Sequence, residues 1–422
     1  MTKEQSRAYL CIDMKCFFAS VECAERGLDP FSTPLVVADE SRGKSALCLA
    51  ISPKLKAMGV RNRCRLNDIP PSIRYTVAKP RMAKYIEYAA DIYEIYLDYV
   101  SPEDIHVYSI DEAFLDVTEY LTLFGKTAEE MASLLMEQIA RRKHIPAAAG
   151  VGTNLYLAKI ALDITAKHTK DHIGVLDEET YRRTLWDHRP LTDFWQVAKG
   201  TAARLARYGI YDMRGVAECP EDVLYRTFGV NAELLIDHAW GRESCTIGDI
   251  KAYRPRSRSV SNSQILFSDY PFDRARLAMT EMVLAGCEEL MRRHLVTDRI
   301  SLYVGYSRDV GPPAKGTVKL GVTTQLYSQF REPADKLFCR IVDPTLPIRR
   351  LGISFGEVQD EAAEGYDLFV DYERLEREKK LTRAVLGVKD RFGKNAVVRG
   401  MDLEEGATAL VRNRLIGGHN GE

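Results

Sequence analysis

Nothing in this sequence organises its cysteines. The nine are an odd number, no two of them form a CxxC pair, and Cys11, Cys48, Cys287 and Cys339 have apolar neighbours. A disulfide framework and a zinc module are both excluded, and most of the cysteines read as small core residues. Long apolar runs are missing too: no stretch approaches the roughly 20 residues a membrane-spanning helix needs. The first residues lack the charged and apolar regions of a signal peptide, so a soluble, cytoplasmic protein with no membrane partner is expected. An excess of either charge sign is also absent. A formal net charge of −1 argues against a surface coated in positive charge, although nucleic-acid binding needs only a local basic face.

What is present is length and periodicity. A chain of 422 residues exceeds the usual size of one core and should divide into several domains. Residues 9–12 are an apolar run ending at Asp13, followed by Phe17, Phe18, Val21 and Ala24 at helical spacing and by Gly27 as a stop, which predicts strand, carboxylate, helix. Residues 30–78 mix proline, serine and glycine with short apolar runs, an irregular insertion with few strands. The spacing of Met82, Tyr85, Ile86, Ala89, Tyr93, Tyr96, Leu97 and Val100 predicts an amphipathic helix over 81–100 with its tyrosines in the core. Two β-prone segments, 106–110 and 113–117, are separated only by Asp111-Glu112, which places the acidic pair at the tip of a tight hairpin. Thr127 and Glu130 make a capping box for the next helix, and 147–151 reads as a strand. The order β-α-(insertion)-α-β-β-α-β predicts an α/β sheet domain.

Short helices follow over 174–240. The turn Val197-Ala198-Lys199-Gly200 is similar to a helix-hairpin-helix, a structure that presents backbone N–H groups to DNA phosphates; plain helix packing is the other reading. Lys251, Arg254, Arg256 and Arg258 lie in a linker-like stretch passing into a strand, where alternating arginines would face one side. A separate α+β domain follows, with helices expected over 272–294 and 333–342 and strands over 299–306, near Val318 and over 350–358. Beyond 360 the composition is polar and charged, a partly helical tail with a disordered extremity.

The chemistry rests on three carboxylates. Asp13 and Asp111-Glu112 are far apart in sequence, yet neighbouring strands of one sheet could bring them together. Oxygen-only ligands select hard cations such as magnesium or manganese, and two such ions roughly 4 Å apart serve phosphoryl transfer. Taken singly, Asp13 also reads as a helix cap and Asp111-Glu112 as turn residues.

Context favours the first reading. Leu10-Cys11-Ile12-Asp13-Met14-Lys15-Cys16-Phe17-Phe18-Ala19-Ser20-Val21-Glu22 resembles the first motif of the Y-family DNA polymerases, and Ser109-Ile110-Asp111-Glu112-Ala113-Phe114-Leu115-Asp116 the second. Ala149-Gly150-Val151-Gly152-Thr153-Asn154, Leu157-Ala158-Lys159-Ile160-Ala161 and Ala166-Lys167 continue the likeness in the right order. The closing Arg412-Asn413-Arg414-Leu415-Ile416-Gly417-Gly418-His419 resembles the bacterial branch related to the polymerase V catalytic subunit.

The resemblance implies an α+β multidomain right-hand polymerase performing low-fidelity translesion synthesis in DNA repair and damage tolerance. Its palm, with a split βαβ-type sheet, would be residues 1–16 and 81–173. Small fingers would be 17–80, a helical thumb with the hairpin-like turn 174–240, a linker 241–253, an α+β little finger 254–358 and a C-terminal tail 359–422. By the same resemblance Asp13, Asp111, Glu112 and the main-chain carbonyl of Met14 hold two Mg2+, for which Mn2+ could substitute. Phe18 is the steric gate against a ribose 2′-hydroxyl. Cys16, Phe17, Phe18, Ser52, Lys56 and Lys167 contact the nucleotide, and Lys199, Gly200, Arg254, Arg256 and Arg258 contact DNA. Tyr366, Asp367, Leu368 and Phe369 resemble a sliding-clamp peptide whose leading glutamine is missing. The chain departs from pattern in the fingers, where Ser52-Pro53 replaces a phosphate-contacting tyrosine and Lys56 the usual arginine. Primer–template DNA, deoxynucleoside triphosphates, the clamp and accessory proteins are the implied partners. Two other readings compete: a catalytically silent DNA-binding recruitment protein on a polymerase scaffold, and a different two-metal enzyme such as a nucleotidyl cyclase.

Overall fold

In the computed structural model, which describes residues 7–255, 258–365 and 371–421, the first apolar run becomes β1 (Tyr9–Met14) and leads into α1 (Phe17–Ala24). The helix is followed by Gly27 at φ +64, a left-handed position that glycine takes without strain. The insertion is more regular than its composition predicts. β2 (Leu35–Val37), β3 (Ala50–Ile51), α2 (Pro53–Ala57) and β4 (Thr76–Ala78) make a small lobe in which β2 lies antiparallel to β3 and parallel to β4. Its own core gathers Val36, Cys48, Ile51 and Leu55.

The chain continues through α3 (Met82–Leu97), β5 (Ile105–Val107), β6 (Glu112–Asp116), α4 (Thr118–Phe124), α5 (Ala128–Lys143), β7 (Ala147–Gly152), α6 (Leu155–Asp163) and β8 (Ile173–Leu176). The strands form one sheet in the order β5-β6-β1-β7-β8. As expected, Thr127 caps α5 in a reciprocal box with Glu130, and Tyr85 and Tyr96 of α3 lie in the core.

Side chains alternate across a strand, and here both faces of the sheet are covered. Leu10, Ile12 and Met14 enter a core with Tyr85, Ile92, Met131 and Leu135 of α3 and α5. Tyr9 and Cys11 enter a second core with Leu155, Ala158 and Leu162 of α6. That second approach is close because β7 offers glycines: a Cβ on Gly150 would lie 2.0 Å from the Ala158 carbonyl oxygen, and one on Gly152 2.2 Å from the Ala158 nitrogen.

The acidic pair is not at a two-residue tip. β5 and β6 pair only from Ile105↔Leu115 to Val107↔Ala113, and the amides of Tyr108 and Ser109 both bond to the Glu112 carbonyl. The connection is therefore residues 108–111, with Asp111 in the loop and Glu112 opening the strand.

Five short helices follow: α7 (Glu178–Leu185), α8 (Lys199–Ala206), α9 (Met213–Glu218), α10 (Glu221–Phe228) and α11 (Asn231–Ala239). They close over a third core that includes Tyr181, Leu205, Met213 and Leu224. The hairpin-like turn is the start of α8, preceded by a single 3-10 turn at Leu191–Asp193 instead of a helix. Residues 241–253, expected as a linker, instead carry α12 (Ile247–Ala252), whose Ile247 is buried in the second core of the sheet.

By internal contacts the chain divides into Met1–Tyr253 and Arg254–Gly421. The second unit contains β9 (Val260–Tyr270), α13 (Phe272–Arg292), β10 (Leu295–Tyr306), β11 (Ala314–Thr324), α14 (Tyr327–Ile341), β12 (Ile348–Phe355) and β13 (Gln359–Asp360), the α+β pattern expected. Its main sheet runs β11-β10-β12-β9. The helix expected to begin at Pro333 starts at Tyr327 and contains the proline. The strand begins at Val260, so Arg254 and Arg258 precede it and do not alternate along it. Cys287 is buried as expected, whereas Cys339 is exposed.

The tail is ordered over the described residues. α15 (Tyr372–Phe392), α16 (Ala409–Arg412) and the two-stranded β14 (Leu415–Ile416) and β15 (His419–Asn420) belong to this unit. Leu375 and Leu386 pack with Met291 and Leu326. Lys379 pairs with Glu361 and Glu364, each at 2.7 Å. The buried Glu281 carboxylate accepts from the amide and hydroxyl of Thr408 at 2.8 Å and from the Ala409 amide at 3.1 Å. Polar composition hid these contacts because they are ion pairs and caps rather than an apolar stripe.

Candidate active site

β1 lies antiparallel to β6 with Asp13 directly opposite Glu112. Opposed residues share a face, so both carboxylates lie on the side of Cys11 and α6. The Met14 amide donates to the Asp111 carbonyl at 2.9 Å, which ties the loop carrying Asp111 to the end of β1. The three acids are thus neighbours, as their sequence pattern requires.

Each makes different contacts. Glu112 is buried, and its Oε1 accepts from Lys159 Nζ at 2.8 Å and from the Cys11 thiol at 3.0 Å. Asp111 Oδ1 accepts from the Ser109 hydroxyl at 2.6 Å. The Asp13 carboxyl is pushed up to about 7, by burial first and then by the charges of Asp111 and Glu112. Among the described residues no three His, Cys, Asp or Glu side chains converge as ligands of a single ion; Glu112 is bonded to Lys159 and Asp111 to Ser109. The donor set nonetheless fits a hard cation: the ligand atoms are carboxylate oxygens, and the crowded negative charge at Asp13 is what a divalent ion would relieve.

Lys159 is the residue that the sequence reading left without a role. Burial works against its charge, yet Asp163, Cys11 and Glu112 hold its ammonium above the ordinary value, and it bridges Glu112 to Asp163 at 3.0 Å. A signal existed. Apart from Asp163 at its end, α6 is otherwise apolar, with Leu155, Tyr156, Leu157, Ala158, Ile160, Ala161 and Leu162 all buried, and a lysine inside such a helix must have a partner.

Phe17 is a core residue, and Phe18 is the half-buried one. Phe18 stacks on Tyr85 with ring centroids 4.5 Å apart and planes 15° from parallel. The Tyr85 hydroxyl donates to Glu22 at 2.8 Å, and Arg81 donates to both oxygens of the same carboxylate at 3.0 Å. Burial pushes the Glu22 carboxyl up, but bonds from Arg81, Arg26 and Tyr85 outweigh it and hold the group below its ordinary value. Phe18 therefore rests on a fixed platform. Before it, Cys16 takes a left-handed conformation and no side chain caps α1, which leaves the first amides of the helix available to an anion.

The remaining residues divide. Ser52 is fully buried and caps α2: its hydroxyl donates to the Thr33 carbonyl at 2.7 Å and accepts from the amides of Leu35 and Leu55. It faces inward and is not available to a nucleotide. Lys56 and Lys167 are exposed. Burial lowers the Lys15 ammonium, and the charge of Lys56 adds to the fall, which places the two lysines near each other. Lys199 and Gly200 are exposed at the start of α8; a Cβ on Gly200 would meet nothing. Arg254 and Arg258 are exposed. Arg256 and the clamp-like Tyr366, Asp367, Leu368 and Phe369 lie outside the described residues.

A surface that the sequence did not single out lies in the second unit. α13 and α14 cover one face of its sheet, burying Ile300, Leu302, Val304, Leu351 and Ile353. The alternate residues line an open groove of about 660 Å³. It is floored by small residues such as Ser301, Thr317, Gly352 and Ser354. Lys315 and Arg350 stand 5.6 and 5.4 Å from the Tyr303 ring centroid.

Comparison with known proteins gives the family and the fold. The sequence profile of the impB/mucB/samB family matches residues 12–163, and that of the family's C-terminal domain matches 257–368. UvrX of Bacillus subtilis is 30% identical over 97% of this chain and 97% of its own length. "DNA polymerase IV 2" of the same organism is 30% identical over 99% and 100%. The solved structure of a Y-family DNA polymerase chimera, Dbh-Dpo4(243-245)-Dbh, superposes with a TM-score of 0.66 at 20% identity, covering 84% of this chain and 99% of that one. This chain belongs to the impB/mucB/samB family, the Y family of DNA polymerases. Among the described residues, no helix is long and apolar enough to cross a membrane.

Proposed function

We propose that this protein is a template-directed DNA polymerase that carries out low-fidelity translesion synthesis in the cytoplasm, by two-metal-ion nucleotidyl transfer from deoxynucleoside triphosphates to a primer end. The observation that carries the proposal is the cross-strand pairing of Asp13 with Glu112, with Asp111 tied to the end of the same strand. Asp13, Asp111, Glu112 and the Met14 carbonyl would hold the two Mg2+ or Mn2+ ions. Those ions, when bound, supply activation of the attacking hydroxyl and neutralisation of the leaving pyrophosphate.

The chain's own residues do the rest. Phe18, fixed against Tyr85, excludes a 2′-hydroxyl by volume. The Cys16 and Phe17 amides, with Lys56 and Lys167, hold the triphosphate. Lys199 and Gly200 at the start of α8, and Arg254 and Arg258 together with the Lys315–Arg350 groove, hold the DNA backbone through contacts indifferent to base sequence. The small fingers leave the nascent pair loosely enclosed, which is the source of low fidelity. The peptide at 366–369 would dock Leu368 and Phe369 on a sliding clamp.

Primer extension on undamaged and abasic templates, with magnesium and each deoxynucleotide, tests the reading. Asp111→Ala should lower nucleotide addition more than about a thousandfold while DNA affinity stays within twofold of wild type. Metal-independent extension, or equal extension by the variant, would remove the assignment. DNA binding without extension by the wild-type protein would favour the silent scaffold.

A further inference from the structure

Within the small lobe, residues 44–48 run antiparallel to 64–67. The Cys48 amide donates to the Cys64 carbonyl at 2.8 Å, Leu66 to Ala46 at 3.0 Å and Asn67 to Lys44 at 3.0 Å, and Leu47 faces Arg65 in a β-bridge. Side chains alternate across a strand, so Cys48 and Cys64, flanking that bridge, share the face opposite Leu47 and Arg65. Leu47 is 49% exposed, whereas Cys48 is fully buried in the lobe's core. Cys64 packs against the same core and keeps partial exposure. Burial first, and then the neighbouring Cys64 thiol, push Cys48 up to about 12. Directly opposed residues of an antiparallel pair have Cβ atoms roughly 4.5–5.5 Å apart, the longer value applying where the pair shares a backbone hydrogen bond as here, so closing to the roughly 3.5–4.5 Å span of a disulfide takes a shift of about 1 Å.

We infer that Cys48 and Cys64 form a redox-sensitive pair, which a peroxide converts to a disulfide closing the segment that carries β3, α2 and Lys56. The partly exposed Cys64 meets the oxidant: its sulfur attacks hydrogen peroxide, the O–O bond breaks, an S–O bond forms, and sulfenic acid and one water result. The Cys48 sulfur then attacks that of Cys64. The S–S bond forms, the S–O bond breaks, and hydroxide leaves with the Cys48 proton as a second water. Two thiols supply two electrons and the peroxide accepts both.

The chemistry stands independently of the polymerase reading; its effect on activity rests on that reading. The segment between the cysteines contains the Ser52 cap, which joins α2 to Thr33 and Leu35, and Lys56, which is proposed to meet the triphosphate. The disulfide would restrict the approach of Lys56, so the oxidised enzyme should show an altered KM for deoxynucleotide with DNA affinity unchanged.

The experiment uses the full chain treated with hydrogen peroxide, blocked with iodoacetamide and digested with trypsin, which cuts at Lys54, Lys56, Arg61 and Arg63 between the two cysteines. A peptide pair joined through Cys48 and Cys64, lighter by two hydrogens and released by dithiothreitol, is expected. It should be lost in Cys64→Ala and, as a second variant, in Cys48→Ala. The exposed Cys339 reports general thiol oxidation in every sample. Cys64 carried to sulfinic acid without cross-linking, or both thiols alkylated while Cys339 is oxidised, would overturn the inference. Absence of extension by the reduced enzyme would instead overturn the polymerase reading and leave the disulfide result standing.

Discussion

The two large sheets of this protein treat charge in opposite ways. In the first unit both faces of the sheet are covered, and at the end of β1 Asp13 is crowded beside Glu112 while buried Lys159 is held to Glu112 and Asp163. In the second unit one face is covered by α13 and α14 and the other is bare, floored by serine, threonine and glycine with Lys315 and Arg350 over Tyr303. Buried charges interact strongly and hold a defined geometry, which suits bond-making. Exposed charges are screened and tolerant of position, which suits gripping a uniform backbone. On the proposed function, the contrast separates a site that would react from a surface that would hold.

That contrast can be broken most sharply at Lys159. Lys159→Met would leave Glu112 buried without its cation, at a cost of about 3–5 kcal/mol. Urea unfolding of the metal-free protein should show a lowered midpoint, and saturating magnesium should recover part of the loss. Unchanged stability would mean that the Lys159–Glu112 pair is replaced without strain.

A smaller effect is expected at Asp13. Its carboxyl has a folded value of about 7 against an ordinary 3.8, so folding favours the protonated form. No penalty exists below pH 4. It grows as pH rises toward 7 and is complete above, reaching about 2–3 kcal/mol once partial exposure is discounted. Metal-free Asp13→Asn should therefore melt higher than wild type at pH 8 and equally at pH 4; coincident melting curves at pH 8 would contradict the raised value.

The mildest change is expected on the bare face. Lys315→Ala and Arg350→Ala should each weaken primer–template binding by up to about tenfold and reduce the slope of log affinity against log salt by about one, irrespective of base sequence. The rate of addition at saturating DNA should not move. A loss of turnover with unchanged affinity would erase the division between the two sheets.

Much of the candidate site was legible in the sequence. An apolar run ending in Asp13 and an acidic pair beside a β-prone segment are local signals, and period-two alternation carries them to a common sheet face. Three features were not legible. Glu112 opens β6 because two amides bond to its own carbonyl, a closure that depends on the loop. Ser52 points inward because Thr33 and Leu35 lie beneath it. The tail is ordered by Glu281 and by the carboxylates around Lys379, whose partners are remote in sequence.

By itself, then, the amino-acid order determined most strands and helices of the first sheet, the division near residue 254 and the three acids brought to one end of that sheet. Periodicity and capping are written in neighbouring residues. Only the tertiary structure decided which side chains meet, Lys159 with Glu112, Phe18 with Tyr85 and Cys48 with Cys64, and which face of the second sheet is left open. Those pairings join positions that only chain folding brings within a few ångströms. Their energies depend on how completely water is excluded there, which no local pattern records.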